Sequence, residues 1–511
     1  MKLNPQNISV IIGFLCLLIL SSSCKKDPKA SVSQTPTPTP PVVASRADLT
    51  KDSIFLYAKE TYYWNEGMPT YTVFNPRRFS TNTAVLNAIV VLPGTNKPTD
   101  KYSFLDDGSV STSLNGVSGD FGFSVFYNSS PSSDLRIKFV SPNSPAAAKG
   151  LKRGFRITKL NGRTDLSSDV SANIEFVSSA VFGSASSVSL TVLKPDGSSE
   201  DVTINRATYA NNPIFNTKIF NIGSKKVGYI VYNSFTTNSR EDLTTEIGKF
   251  HLAGATELII DLRYNGGGSV ATSDVFTNLI APASVNGQMM YTTFWTKTMQ
   301  DGQARILANQ PLLDSKGKLQ PFTGGVNGKF ATYADLDYRP TLAAGNVENF
   351  VKSGSAEFKK IYFLVLGGTA SASELMINSL KGVMANDVKL IGQKTYGKPV
   401  GFFAIKIDKL DLYVPMFETK NQRNDGGFFN GMTVDFTVSD DVTKDFGDPT
   451  ERLLAAALNF SEKGTFSINN IPSKIASATG MSVLETERIS EVLEKNIFKG
   501  MIDDKLKLKR N

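Results

Sequence analysis

The sequence predicts an α/β protein: a largely parallel sheet with helices, an inserted small β domain, and a small helical domain in front. Three observations carry this reading. Between residues 210 and 463, apolar strand-like runs alternate with helical stretches, as parallel sheets require. Between 119 and 204, short strand-like runs follow one another with turns between them. From Asp48 to Trp64, apolar residues recur at helical spacing.

In chain order, residues 1–24 read as an export signal. Lys2 opens a short n-region, and Ile8 to Leu20 is an apolar core too short to span a membrane comfortably. Leu20-Ser-Ser-Ser-Cys24 follows, which looks like a lipoprotein signal with Cys24 as the lipidated residue, although Ser21 stands where an aliphatic residue is usual. A plain secretory signal is the alternative. Cys16 lies inside the signal, so export leaves Cys24 alone and no intramolecular disulfide. Residues 25–47 are rich in Pro, Ser and Thr and read as an extended tether.

The helical domain is expected over 48–115 and the β domain over 116–207. Within the latter, Phe121–Phe126, Leu135–Val140, Phe155–Leu160, Val188–Leu193 and Asp201–Ile204 are strand candidates, with turns at Asn161-Gly162 and Pro195-Asp-Gly197. The α/β core is expected over 208–463: strands at Lys226–Val231, Leu258–Leu262, Ile361–Leu366 and Val388–Ile391, with helices from Glu241, Val270 and Ala372. A tail, 464–511, reads as helical from Val483 to Phe498.

Composition narrows the function. Hydrophobic residues make up 41% and charged residues 20% of 511, the balance of an ordinary globular protein. The net charge of +8 is scattered except in the tail, which argues against nucleic-acid binding. One histidine and two cysteines make no zinc constellation. The histidine, His251, ends a helical stretch, where a surface role is the simpler reading.

The segment Ile361-Tyr-Phe-Leu-Val-Leu-Gly-Gly-Thr-Ala-Ser371 places a serine where a buried strand turns into a helix. Unpaired N–H groups and the helix dipole favour negative charge there. Ser371 is therefore either a helix cap or a nucleophile. If a nucleophile, its base is more simply a lysine or a carboxylate than the lone histidine, and a lysine serves when burial lowers its pKa toward neutrality. Arg263-Tyr-Asn-Gly-Gly-Gly268 also follows an apolar strand. Were the two strands parallel neighbours, this loop and the N–H of Ala372 could form a two-donor oxyanion hole.

Two resemblances extend the reading. Ser144-Pro-Ala-Ala-Ala-Lys-Gly-Leu-Lys-Arg-Gly-Phe-Arg-Ile-Thr-Lys-Leu-Asn-Gly162 resembles the middle of a bacterial PDZ domain. That implies a carboxylate-binding loop at Phe121, Gly122 and Phe123, taking a peptide C-terminus by strand addition; a plain spacer is the other reading. Val227-Gly-Tyr-Ile, Leu258–Gly268, Thr369-Ala-Ser-Ala-Ser-Glu374 and Ile391-Gly-Gln-Lys-Thr-Tyr-Gly-Lys398 occur in the order found in C-terminal processing peptidases, the tail-specific proteases. Asp100–Phe104 and Gly431–Asp435 fit the same layout.

The resemblance implies a tail-specific protease core with Ser371 as nucleophile and Lys398 as general base. It implies oxyanion donors at Ala372 and Gly267, and structural roles for Ser373 and Glu374. Lys394 is the competing lysine. Two departures stand out: Pro399 follows Lys398, and Phe402 occupies a position where the family commonly has glutamine. The implied protein is a lipid-anchored serine endopeptidase of the bacterial cell envelope, facing the periplasm or the cell surface. It would act on proteins or peptides held by their C-termini and need no metal or organic cofactor. The alternative is a non-catalytic peptide-binding scaffold of the same descent.

Overall fold

A computed structural model describes residues 44–466 apart from 93, 95–96, 129–132 and 315, and then 489, 492–493, 498–506 and 508. The signal, Cys24 and most of the linker lie outside the described residues. Among those described, no helix is long and apolar enough to cross a membrane.

A six-stranded sheet organises the core, in the spatial order Phe436–Thr437, Val388–Gly392, Lys360–Val365, Glu257–Asp261, Lys225–Tyr232, Ile214–Ile222. The first five strands run parallel, and Ile214–Ile222 adds an antiparallel edge. The central strands carry unbroken apolar runs, Leu258–Ile260 and Ile361–Val365, because both faces are covered. Alternate side chains enter opposite cores, as the period of two demands. Leu258, Ile260, Ile361 and Phe363 join one cluster, and Ile259, Tyr362 and Leu364 the other. Helices Val270–Ile280 and Ala372–Met384 cover the first face through Phe276, Leu375 and Met376. Helix Arg452–Lys463 covers the second through Leu453, Leu454 and Ala457.

The inserted β unit is a five-stranded antiparallel sheet, Phe123–Tyr127, Leu135–Val140, Arg156–Leu160, Ser187–Leu193 and Ser199–Asn205. Helix Ser171–Phe182 packs on it. Strand Val117–Asp120 pairs antiparallel with Ala207–Ala210, so the chain enters and leaves this unit side by side. Its core also includes Ile489 and Leu493 from the tail.

The leading helices, Arg46–Thr61 and Asn82–Val90, do not build a core of their own. Ile54, Phe55, Ala58, Val85 and Leu86 belong to the same cluster as Leu258 and Phe363. The stretch 48–115 is thus packed as a flank of the α/β core.

In the tail, a strand follows the stretch expected to be helical. Ile489, Val492 and Leu493 are helical, but Gly500–Ile502 is a strand. It pairs in parallel with Gly267–Ser269, with Gly267 opposite Gly500. The other residues of Val483–Phe498, apart from Phe498 itself, lie outside the described set.

Candidate active site

Strands Glu257–Asp261 and Lys360–Val365 are adjacent and parallel, so the loops at their carboxyl ends meet. Ala370 N–H donates to Asn265 O at 3.0 Å, and Ser373 Oγ to the same carbonyl at 3.2 Å. Thr369 Oγ1 donates to Leu262 O at 2.7 Å. These bonds knit the serine turn to the glycine loop.

Ser371 is the N-cap of helix Ala372–Met384, with φ 62° and ψ −109°. A non-glycine residue there stores about 1–3 kcal/mol of backbone strain. Its Oγ is buried; it faces the Glu374 N–H in a capping-box arrangement but forms no hydrogen bond of normal geometry. An unpaired buried hydroxyl costs about another 1–3 kcal/mol. A plain helix cap incurs neither cost, because its oxygen accepts from the first turn. Both costs fall on one residue, Ser371.

Lys398 is fully buried. Its Nζ donates to Lys499 O at 2.7 Å, and lies 4.0 Å from the Phe402 ring centre and 5.6 Å from that of Tyr102. Burial pushes the amine down to about 7, against the pull of Asp100 and Glu374. Lys394, the rival, is exposed. His251 is exposed on the last turn of helix Arg240–Leu252.

Glu374 joins the Ser371 turn to the Lys398 loop. Its carboxylate accepts the N–H groups of Ser371, Gly397 and Lys398, each at 2.8 Å, and the Thr395 hydroxyl at 2.5 Å. Burial raises its pKa, and these bonds oppose the rise. The strand-to-helix pattern marks Glu374 only as first-turn; its grip on a loop more than twenty residues later has no local sequence signal.

Gly267 has φ +104°, and a Cβ there would stand 2.9 Å from Ala372 N and 2.3 Å from Gly500 O. Only glycine permits this approach. The N–H of Ala372, at the first helical position, has no intrahelical acceptor. The Gly267 N–H, expected to be free for an oxyanion, instead donates to Asn265 Oδ1 at 2.9 Å.

Phe121, Gly122 and Phe123 sit apart from Ser371 and Lys398 and open onto a space shared with the glycine loop. A cavity of about 340 Å³ is lined by all three, by Gly266–Gly268 and by Lys499. Gly122 has φ +81°, and its carbonyl accepts from Ser141 N–H at 2.8 Å.

A buried ionic network, missed by the sequence reading, ties the β unit to the core. Arg153 and Arg263 both reach Asp440 Oδ1 at 2.7 Å. Arg263 also pairs with Asp261 at 2.7 Å and Glu451 at 2.9 Å. The two guanidinium groups hold the Asp440 carboxyl well below the usual carboxylate range. Among the described residues, no group of three or more His, Cys, Asp or Glu is arranged to hold a metal ion.

The profile of peptidase family S41 matches residues 226–438, a span holding the glycine loop, Ser371 and Lys398. These residues are an S41 peptidase domain. A carboxyl-terminal-processing protease of Picosynechococcus sp. is 29% identical over 163 residues, 31% of this chain and 38% of that protein. A probable CtpA-like serine protease of Staphylococcus aureus is 26% identical over 303 residues, 59% of this chain and 49% of that protein. The chain thus spans between 38% and 49% of the length of these curated relatives. A crystal structure of a candidate S41 protease from Bacteroides fragilis superposes with a TM-score of 0.54 at 22% identity, covering 81% of this chain and 97% of that one. The S41 domain and its flanks therefore share that protein's fold.

Proposed function

We propose that this chain is a serine endopeptidase working through a Ser371/Lys398 dyad. The observation that carries the proposal is the pairing of a strained, unpartnered Ser371 hydroxyl with a buried lysine pushed down to about 7, both tied to Glu374. Neutral Lys398 takes the Ser371 proton as Oγ attacks the scissile carbonyl carbon. The N–H of Ala372 receives the oxyanion; the N–H of Gly267 joins it by exchanging Asn265 Oδ1 for the substrate oxygen. The C–N bond then breaks, and Lys398 returns the proton to the departing amine. Water, deprotonated by Lys398, releases the acyl group.

Substrates are proteins or peptides, held by a C-terminal carboxylate at Phe121-Gly122-Phe123 in the PDZ-like unit. The cavity shared by that loop and the glycine loop supports this route. A signal ending at Cys24 would anchor the enzyme by lipid in the cell envelope.

The test is cleavage of an unstructured peptide by residues 25–511. Ser371→Ala and Lys398→Ala must each abolish cleavage while circular dichroism stays unchanged; full activity in either variant would refute the dyad. The second reading, a non-catalytic peptide-binding scaffold, is favoured by one observation: Lys398 Nζ is bonded to Lys499 O, and Ser371 Oγ to nothing. Covalent labelling of Ser371 by a fluorophosphonate separates the two, since a scaffold does not react.

A further inference from the structure

The sequence leaves open what orients Lys398, because Phe402 offers no side-chain acceptor. The tail answers. The Nζ of Lys398 donates to the backbone carbonyl of Lys499 at 2.7 Å. Lys499 precedes the strand Gly500–Ile502, which threads between the two halves of the site. On one side Gly500 N–H donates to Gly266 O at 2.9 Å. On the other, Phe402 N–H donates to Met501 O and Asp503 N–H to Phe402 O, each at 3.0 Å.

This strand is part of the fold. Met501 is fully buried and Ile502 nearly so, both in the main core. Beyond them, the Asp504 carboxylate accepts from Arg240 at 2.9 Å, Ser269 Oγ at 2.7 Å and Ala271 N–H at 3.1 Å. Lys505 Nζ donates to Asp274 and Glu348, each at 2.7 Å, and to Tyr291 Oη at 2.9 Å. Two buried apolar side chains and two anchored charges do not describe a cover made to be displaced.

A neutral amine has two N–H bonds and one lone pair. To act as a base its lone pair must face the serine, so its N–H bonds must be fixed elsewhere. One points at Lys499 O, and the Phe402 ring face lies alongside.

We propose that the backbone carbonyl of Lys499 is a positioning group of this site: it fixes the Lys398 amine in the orientation that accepts the Ser371 proton. The inference rests on the peptidase reading above.

The test uses the full chain carrying Met501→Asp, and separately the pair Asp504→Ala with Lys505→Ala, which loosens the strand from its anchored end. The readouts are kcat and KM on an unstructured peptide from about pH 5.5 to 9, and the rate of Ser371 labelling by a fluorophosphonate. We expect kcat to fall by about tenfold or more with KM within about threefold, and the pH midpoint to rise by about one unit. Labelling slows in parallel. Folded variants with unchanged kcat and midpoint overturn the proposal, and so does faster cleavage with faster labelling, which would make the strand a cover. If Met501→Asp does not fold, the Asp504/Lys505 pair decides by the same readouts. An unaltered chain that neither cleaves nor labels refutes the peptidase reading instead.

Discussion

The amine of Lys398 lies 4.0 Å from the centre of the Phe402 ring, both side chains being fully buried. The ring face favours the charged amine, by about 1–2 kcal/mol when water is excluded. Burial favours the neutral form and outweighs it, leaving the amine near 7. Phe402→Leu removes the ring and keeps an apolar wall. The pH midpoint of kcat should then fall by about one unit, with a stability loss of about 1–2 kcal/mol. A pH–rate profile beside a urea titration checks both.

The sign of the pH dependence follows from the base. Lys398 accepts a proton only when neutral, so kcat/KM should rise with pH through a midpoint near 7 and then level off. A histidine base could give a similar midpoint, but His251 is exposed at a helix end. The His251→Ala profile should overlay that of the parent chain.

Glu374→Gln keeps the shape of the clamp and spoils its chemistry. The carboxylate accepts three N–H groups and a hydroxyl, whereas the amide NH₂ would confront at least one donor. Loss of charged hydrogen bonds at a buried site costs about 2–3 kcal/mol. Because Ser371 and Lys398 are held by the same group, kcat should fall by about tenfold to a hundredfold. Denaturant unfolding and steady-state kinetics report the two effects separately.

Asp440→Asn leaves Arg153 and Arg263 buried with one negative partner fewer. Breaking a buried pair from one side typically costs about 3–5 kcal/mol. Since Arg153 belongs to the β unit and Arg263 to the core, faster tryptic nicking after Arg206, in the connection near 210, should accompany the lower unfolding midpoint.

Carboxylate capture by the PDZ-like unit is tested by the substrate. A peptide ending in a free carboxylate should show a KM about tenfold below its C-terminal amide, with kcat little changed, equivalent to about 1.4 kcal/mol of binding. Equal KM values would remove Phe121–Phe123 from the recognition scheme.

The serine turn could be read from sequence because its signal is local: an apolar β-branched run, small residues, then helical spacing. The glycine loop was legible for the same reason, though its neighbour was not. Lys398 came only from family resemblance, since nothing near it distinguishes a buried lysine from an exposed one such as Lys394. The bonds from Glu374 to Thr395, Gly397 and Lys398, the Arg153–Asp440–Arg263 network and the tail strand escaped because the partners are remote in sequence. Gly500-Met-Ile502 is too short to announce a strand, and it forms one against Gly267–Ser269. The leading helices looked like a separate domain because periodicity shows which face is apolar, not which core receives it.

The tail strand also sets an order of events during synthesis. The carbonyl that binds Lys398 belongs to a residue 101 positions later in the chain. At roughly 5–20 residues per second, translation needs about 5–20 s to reach it after making the lysine. On the proposed dyad, nucleophile and base both emerge from the ribosome before the group proposed to align them. A nascent chain would then fold much of its sheet while still unable to cut itself or its neighbours, and the proposed activity would arrive only with the tail strand.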